Sequence, residues 1–283
     1  MKRWLLIFTL LFARTGSAQF QWWNDLHNWD GATPWNQYFT YSHAFLGPNA
    51  LPIPQITGTH SNFATTSTQL SLRGDDQFLN WHNELQFITG KTRFHVVHQS
   101  IEAFRTTTEV RDRRASRGES GQGIQAGDVL VNITHELYRD NQDGLKIFYF
   151  TTHLKTAAGP LNNARFTDAP GYAFFFSGQY NPAGTDFWLT GEAGFQVYQT
   201  FWTEYPQNDG LLCNLRATQR LGDYGIQAGI RSFTGYFRNG DWPRILDLSI
   251  DRNHGNSRTV LGLTHGLNDY PFSFLTLSYQ FFL

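Results

Sequence analysis

The sequence predicts an all-β fold, a twelve-stranded antiparallel transmembrane β-barrel, and three patterns carry this prediction. Segments of about nine to fifteen residues alternate apolar and polar side chains along most of the chain. The connections between them alternate between short turns and longer loops. Aromatic residues make up 16% of the chain, yet no long apolar run occurs after the first residues. A membrane barrel accounts for all three, because each strand exposes apolar side chains to lipid and polar side chains to the lumen.

The first 18 residues have the pattern of a secretory signal peptide. Lys2 and Arg3 precede an apolar run from Trp4 to Ala13, and Gly16–Ser17–Ala18 is a small-residue cleavage site. The alternative is a buried N-terminal helix. Cleavage after residue 18 would leave glutamine first, which is not the cysteine that a lipoprotein anchor requires.

Charge and cysteine content exclude several classes of protein. The chain has 22 basic and 23 acidic residues, and the predicted signal peptide holds three of the bases, so the mature chain is acidic and not typical of a nucleic-acid binder. The lone Cys213 cannot form an internal disulfide. The histidines of HVVH at 95–98 would point to opposite faces of a strand, so neither a metal site nor a cofactor is expected.

Residues 19–62 lack the alternation and precede the predicted barrel of residues 63–283. This segment contains four tryptophans and the stretch GPNALPIP at 47–54, whose prolines exclude a central strand. It is expected to form either a plug in the lumen or a rim at the periplasmic mouth.

Twelve segments have the two-residue period of β-strands. They are 63–73, 77–88, 92–104, 126–138, 145–156, 171–180, 185–199, 211–221, 225–237, 244–252, 257–266 and 271–283. Every second connection is short, namely 89–91, 139–144, 181–184, 222–224 and 252–255. Of the others, the four between the third and tenth strands are longer, namely 105–125, 157–170, 200–210 and 238–243. Short turns at one end and long loops at the other are typical of an outer-membrane barrel with its turns in the periplasm. A secreted β-sandwich remains the alternative.

The polar face of these strands gives a candidate lumen lining. The two-residue period points inward Glu102, Asp128, Glu136, His153, Glu192, Arg216, Arg220, Arg231, Asp247 and Arg258. Such residues could line a narrow polar pore or form a closed network of ion pairs, since twelve strands make a narrow barrel.

A basic stretch, EVRDRRASRGES, occupies residues 109–120 of the longest loop. Its arginines, Arg111, Arg113, Arg114 and Arg117, have the bidentate geometry that binds lipid phosphates or other anions. Two alternatives stay open: a solvated loop, or a loop folded inward to pair with lumen acids such as Glu136.

One pair of residues has nucleophile–base spacing. His98 and Ser100 are two residues apart and so share a strand face. The pair faintly resembles the His–Ser pair that twelve-stranded outer-membrane phospholipases use with an asparagine orienter, although the surrounding residues of that pattern are absent.

Further resemblances concern compartment. The last strand, FSFLTLSYQFFL, resembles the aromatic-terminated final strand by which insertion machinery recognises Gram-negative outer-membrane barrels. GPNALPIP, EVRDRRASR and the LKTA…ARFTDAPGY stretch at 154–172 resemble an uncharacterised group of such barrels, which implies fold and an outer-membrane location but no known activity.

Three functions are therefore expected, in this order. The first is a narrow channel or uptake barrel for a small solute. The second is a lipid-acting hydrolase using His98 and Ser100, and the third is a structural or partner-binding surface barrel. Outer-membrane lipids and the insertion machinery are the expected partners, and nucleic acid is not.

Overall fold

The computed structural model describes residues 49, 61–114, 116, 118, 120–160, 163–167, 169–199, 207–234 and 242–283. This part of the chain forms thirteen strands and one short helix. They are β1 Phe63–Ser71, β2 Asp76–Thr89, β3 Thr92–Thr106, α1 Thr108–Arg113, β4 Gln122–Gln125, β5 Val129–Asp140, β6 Gly144–Lys155, β7 Gly171–Pro182, β8 Phe187–Gln199, β9 Gln207–Leu221, β10 Tyr224–Phe233, β11 Arg244–Asn253, β12 Ser257–Asn268 and β13 Ser273–Phe282.

Twelve of these strands close into an antiparallel barrel. Each long strand pairs with its neighbours along the chain, and the last strand returns to the first, with Phe63 opposite Phe282 and Leu70 opposite Leu275. Closure satisfies the backbone groups that a sheet edge would leave unpaired, which a membrane demands. The predicted twelve-stranded antiparallel barrel is confirmed.

The thirteenth strand, β4, is a short extension where a single strand was predicted over 126–138. Both β4 and β5 pair with β3, but three residues separate them. There the Gly127 N–H donates to the Gln99 carbonyl at 2.7 Å, and the Gln99 N–H donates to the Asp128 carbonyl at 3.1 Å. This bulge turns the Asp128 side chain inward, where it is fully buried. The predicted loop 105–125 also contains α1 and β4, which the sequence pattern did not reveal.

The five short turns lie together at one end of the barrel, called here the turn end. Each has a glycine with positive φ; Gly90 (56°) and Gly222 (62°) lie in two-residue turns between paired strands. Tight hairpin turns need such backbone angles, which residues with a Cβ adopt at a cost. Phe63 and Phe282 are also at the turn end, and the longer connections lie at the opposite loop end.

Side chains alternate between the two surfaces as predicted. In β13, Leu277 is 54% exposed on the outside while Gln280 is 4% exposed on the inside. Aromatic side chains extend across neighbouring strands on the outer face, for example Phe148 and Phe176 with ring centroids 5.9 Å apart. This apolar outer face suits the hydrocarbon core of a bilayer. Among the described residues, no helix is long and apolar enough to span a membrane.

The predicted signal peptide and nearly all of the segment 19–62 lie outside the described residues. Asn49 is described and is buried. Its amide donates to Glu102 Oε1 at 3.3 Å, and the Asn80 amide approaches its oxygen at 3.5 Å. At Asn49, therefore, the segment contacts the inner wall of the barrel.

Candidate functional site

The interior of the barrel holds a cavity of about 510 Å³. Its wall is rich in hydroxyl and amide side chains from many strands, including Thr65, Ser67, Gln227, Ser249, Thr276 and Gln280. These side chains face inward because the strand period is two residues and the outer positions are apolar. The cavity can therefore offer hydrogen bonds to a polar solute along much of the barrel axis.

An apolar layer lies inside the barrel towards the loop end. Its buried members include Phe78, Phe104, Phe175, Phe233, Phe272 and Phe274. Phe274 and Tyr270 also line the cavity, so the cavity ends against this layer. Tyr270 lies in the connection between β12 and β13, and burial raises the pKa of its phenol.

Beyond the apolar layer, helix α1 folds into the mouth of the barrel. The Thr107 hydroxyl caps the helix by accepting from the Val110 N–H at 3.3 Å, and Val110 is 3% exposed. Arg114, which follows the helix, is buried and donates to a carboxylate oxygen of Asp76 on β2. The basic loop therefore points inward at Arg114.

The connection between β6 and β7 folds into the same mouth. Arg165 is completely buried, with Nη1 2.7 Å from Asp76 Oδ1 and Nη2 2.8 Å from Glu102 Oε1. Its guanidinium also lies over the Phe104 ring, 4.8 Å from the centroid. Although burial disfavours its charge, the Glu102 and Asp76 carboxylates hold the pKa of Arg165 above its ordinary value. One guanidinium thus links two strands of the wall to an inward-folded loop.

A second buried ion pair fixes the start of this connection. Lys155 Nζ lies 2.9 Å from Asp128 Oδ2 and donates to the Thr167 and Ala169 carbonyls at 3.1 and 2.9 Å. Asp128 Oδ1 accepts from the backbone N–H of Ala158 and of Gly159, both at 2.9 Å. The bulge before β5 therefore places the carboxylate that organises the loop.

Phe166 completes the closure and is fully buried. A Cβ added at Gly127 would lie 2.4 Å from its ring, and one at Gly159 would lie 2.6 Å away. Both glycines are thus required for the ring to fit. Helix α1 with Arg114, together with residues 156–160 and 163–167, is called the loop-end plug below.

A chain of hydrogen bonds crosses the cavity wall on β2, β3, β5 and β6. His153 Nδ1 lies 2.8 Å from Asn132 Oδ1, Asn132 Nδ2 lies 3.3 Å from His95 Nδ1, and His95 Nε2 lies 3.0 Å from Glu84 Oε2. With the Asn132 amide in this orientation, His153 donates through Nδ1 and His95 donates through Nε2. Each contact fixes the next, so this wall is held by its own polar groups.

The opposite wall, on β8 to β12, carries ion pairs in two levels. Nearer the loop end, Arg231 binds Asp247 through two nitrogens at 2.5 and 2.8 Å, and Thr264 donates to the same carboxylate at 2.8 Å. Nearer the turn end, Arg220 Nη1 lies 2.6 Å from Asp251 Oδ2 and Arg258 Nη1 lies 4.0 Å from Asp251 Oδ1. This wall is therefore charged where the facing wall is mostly neutral.

The structure places the predicted lumen residues at three different levels. Glu102 and Asp128 hold the loop-end plug. Glu136 lies near the turn end, where it binds Arg139 at 2.6 Å. The remaining residues contribute to the cavity wall or its immediate support: His153, Glu192, Arg216, Arg220, Arg231, Asp247 and Arg258. Their role in passage of a solute stays a prediction.

The arginines of the basic loop separate in the structure. Arg114 pairs with Asp76, so Glu136 as the example of an acidic partner was wrong: Glu136 lies at the other end of the barrel. Arg111 contacts Asp112 at 2.7 Å. The Arg113 side chain and Arg117 lie outside the described residues. Binding of phosphate or another anion by this loop stays a prediction.

His98 and Ser100 are on the outer face of β3, away from the cavity. Ser100 Oγ lies 3.1 Å from His98 Nδ1, and Asn83 on β2 donates to Ser100 Oγ at 2.8 Å. A register shift leaves Ser100 without a partner residue on β2, between the pairs His82–Gln99 and Trp81–Ile101. Asn83 was not among the residues predicted from the sequence, although its position opposite His98 follows from the register. Among the described residues, no three His, Cys, Asp or Glu side chains are arranged to hold a metal ion.

Comparison with solved structures finds similar barrels. An outer-membrane channel from Pseudomonas putida F1 superposes with a TM-score of 0.59 at 11% sequence identity, over 83% of this chain and 97% of that chain. The two chains share the fold of a closed outer-membrane β-barrel. The KdgM porin in complex with disordered oligogalacturonate is more distant, with a TM-score of 0.45 at 11% identity over 78% of this chain and 98% of that one.

The CymD monoaromatic hydrocarbon channel gives a TM-score of 0.39 at 8% identity, over 78% of this chain and 88% of that chain. No family model matches the sequence, and no curated protein matches it. The likeness to the Pseudomonas putida channel supports the barrel fold, and the closed barrel with its apolar outer face is the architecture of an outer-membrane protein. The resemblance to an uncharacterised group of barrels remains an expectation.

Proposed function

We propose that this protein is a narrow outer-membrane channel for small polar solutes, with the loop-end plug as its barrier. The observation that carries the proposal is the polar cavity of about 510 Å³ inside a closed barrel. Side chains can fill a barrel of about eight strands completely, whereas the interior of this twelve-stranded barrel retains a polar cavity. The fold likeness to a described outer-membrane channel supports the same function.

The barrier is built from paired charges rather than apolar contacts alone. Asp76, Glu102 and Asp128 are each buried and each binds a buried cation. A solute can pass only after these ion pairs separate and water solvates their charges. Each pair therefore stabilises the closed state. Loosening one pair is the direct way to test whether the plug limits passage.

Swelling of liposomes that contain the purified full-length barrel tests the proposal. The rates are measured for neutral solutes of increasing size, with wild type and Arg165→Ala. We expect the variant to admit small solutes faster, because Arg165 links the plug to two wall carboxylates. Arg139→Ala is the matched control, since it removes an arginine paired with Glu136 near the turn end. If liposomes swell neither with wild type nor with Arg165→Ala, the protein is not a solute channel.

A second candidate function, lipid hydrolysis, is favoured by the outward cluster of Asn83, His98 and Ser100. During attack on an acyl ester, Ser100 Oγ would bond to the carbonyl carbon and pass its proton to His98 Nδ1. His98 would then return that proton to the leaving alcohol as the ester C–O bond breaks, and water would release the acyl group by the reverse sequence. The cluster faces the lipid-exposed side, where such a substrate is present.

The two functions are separable by one variant. Ser100→Ala should abolish release of fatty acid from phospholipid vesicles and leave liposome swelling unchanged. Asn83→Ala should reduce hydrolysis without abolishing it, since it removes a donor to the serine oxygen. Fatty-acid release that persists in Ser100→Ala at the wild-type rate, or that is absent from the wild type, would dismiss the hydrolase.

A further inference from the structure

Four arginines line one side of the cavity. Arg216 and Arg220 extend from β9, Arg231 from β10 and Arg258 from β12. These four residues are called the arginine wall. Arg216 and Arg220 are four residues apart, which is about 13 Å along a strand. The arginine wall thus offers cationic groups at two successive levels of the barrel.

Glycines on the neighbouring strand make room for these side chains. Gly229 is opposite Arg216, and Gly225 is opposite Arg220. A Cβ at Gly225 would lie 2.7 Å from Arg220 Nη1 and 2.6 Å from Asp251 Oδ1. A Cβ at Gly229 would lie 3.5 Å from the Arg216 Cβ. The Arg220 side chain therefore lies along the wall over Gly225, a position that a larger residue there would block.

In the described part of the chain, the arginine wall has three acidic neighbours, Asp247, Asp251 and Glu192, and Asp251 is more deeply buried than the two arginines near it. The side chain of Asp251 is completely buried, whereas those of Arg220 and Arg258 are 25% and 15% exposed. Glu192 is buried and binds the Asn214 amide. Asp247 is the acid of this wall that lines the cavity, and its side chain is 26% exposed against 10% for Arg231. A solute in the cavity therefore meets guanidinium groups more than carboxylates.

The other charged groups do not reverse this excess. Among the described residues that line the facing wall, the acid is Glu84, and it is bound to His95. In the loop-end plug, Asp76, Glu102 and Asp128 are matched by three buried cations. The described cavity lining itself holds four arginines and two carboxylates, Glu84 and Asp247, while the carboxylates of Asp251 and Glu192 are buried outside the lining.

We infer that the cavity selects small anions that carry a carboxylate or a phosphate group. This inference rests on the proposed channel and names its solute class. A guanidinium bound to one carboxylate keeps donors available for a second oxyanion, and arginine rings are a known means of anion selection in pores. Because Asp247 and Asp251 partly neutralise the arginines at each level, an anion is bound weakly enough to leave the site and pass to the next one.

Reversal potentials in planar bilayers test the inference on the full-length barrel. They are measured across gradients of potassium chloride, potassium acetate and potassium phosphate, for wild type and for Arg165→Ala with its loosened plug. We expect anion-to-potassium permeability ratios above one. Comparing the permeability ratios measured in acetate and in phosphate shows which oxyanion is preferred.

Two variants locate the selectivity in the arginine wall. Arg258→Gln removes one positive charge, and we expect the anion-to-cation ratio to fall about threefold, as a unit charge a few ångströms from the ion path implies. Thr218→Glu adds an acid between Arg216 and Arg220 without unpairing any group, and it should lower the ratio similarly. Arg252→Gln removes the same charge on the outer surface of β11, beside Tyr224, and should change nothing.

If the barrel conducts but its anion-to-potassium permeability ratio is one or less, anion selection is wrong and the channel proposal is unaffected. The same holds if neither Arg258→Gln nor Thr218→Glu changes that ratio. Absence of conductance in every form, including Arg165→Ala, would overturn the channel and the inference together.

Discussion

Replacing Arg165 with methionine should destabilise the barrel by about 3–5 kcal/mol, the range for breaking a buried ion pair. The substitution keeps most of the side-chain volume and removes the charge. Arg165 is completely buried and contacts two carboxylates, at 2.7 and 2.8 Å. Asp76 keeps Arg114 as a partner, so most of the cost is expected at Glu102.

The magnitude follows from what Glu102 retains. Gln125 Nε2 still donates to it at 2.9 Å and the Asn49 amide at 3.3 Å, but neither carries charge. A buried carboxylate with only neutral donors is costly. Adding Glu102→Gln to Arg165→Met should therefore recover part of the lost stability, because the uncompensated charge is gone. The recovery is only partial, because the single oxygen of glutamine replaces two carboxylate oxygens, which accept from Asn49 and Gln125 separately.

Urea-induced unfolding in detergent micelles, followed by tryptophan fluorescence, measures these differences. Lys146→Met is the matched control: Lys146 Nζ lies 3.9 Å from Asp140 Oδ2 and its side chain is 44% exposed, so less than about 1 kcal/mol is expected. A loss for Arg165→Met as small as that of the control would refute the account of the plug. A double variant less stable than Arg165→Met would refute the role of Glu102.

Three further outcomes are expected. Gly159→Ala should expose the plug to protease and cost about 1–3 kcal/mol, because its Cβ would meet Phe166, and Phe166→Leu should restore part of the loss. Thr107→Ala should cost about 1 kcal/mol by removing the cap of α1, and a Thr107→Ser variant should stay close to wild type in the same unfolding assay. Deletion of Phe281–Leu283 removes residues that pair with β1 at the closing seam, so the heat-modifiable band of a folded barrel should disappear from outer-membrane fractions; a normal band would contradict this.

The two-residue alternation of apolar and polar side chains made the barrel predictable from sequence. Once one apolar residue of a strand faces lipid, every second residue does so, and both faces of β9 and β13 follow. The turn positions were equally visible, since each short connection contains a glycine, and in the structure each of these glycines has positive φ. These signals are local, and each needs only a few neighbouring residues.

The plug could not be predicted, because its partners are far apart in sequence. Arg114 lies 38 residues from Asp76, and Arg165 lies 89 residues from it. The two-residue alternation places Asp76 on the inner face of β2, but it does not show which loop supplies the basic side chain that pairs with Asp76. The loop's orientation depends on tertiary packing, including the space that Gly127 leaves for Phe166.

The cluster around Ser100 was partly predictable from the sequence. The spacing of His98 and Ser100 was visible, and both lie on one face of β3. The third member, Asn83, is on the neighbouring strand and required the register across the bulge. Hairpin register can be inferred from a two-residue turn, but a bulge shifts it by one residue and is rarely visible in a single sequence.

The single-channel conductance of the purified full-length barrel tests the central claim most directly, that the interior cavity is a solute path closed by the loop-end plug. Wild type and Arg165→Ala are compared in planar bilayers at the same salt concentration and voltage. The account predicts small or rare conductance steps for wild type and larger or more frequent steps for the variant, with Arg139→Ala indistinguishable from wild type. A folded Arg165→Ala barrel that shows no steps at any voltage would contradict it.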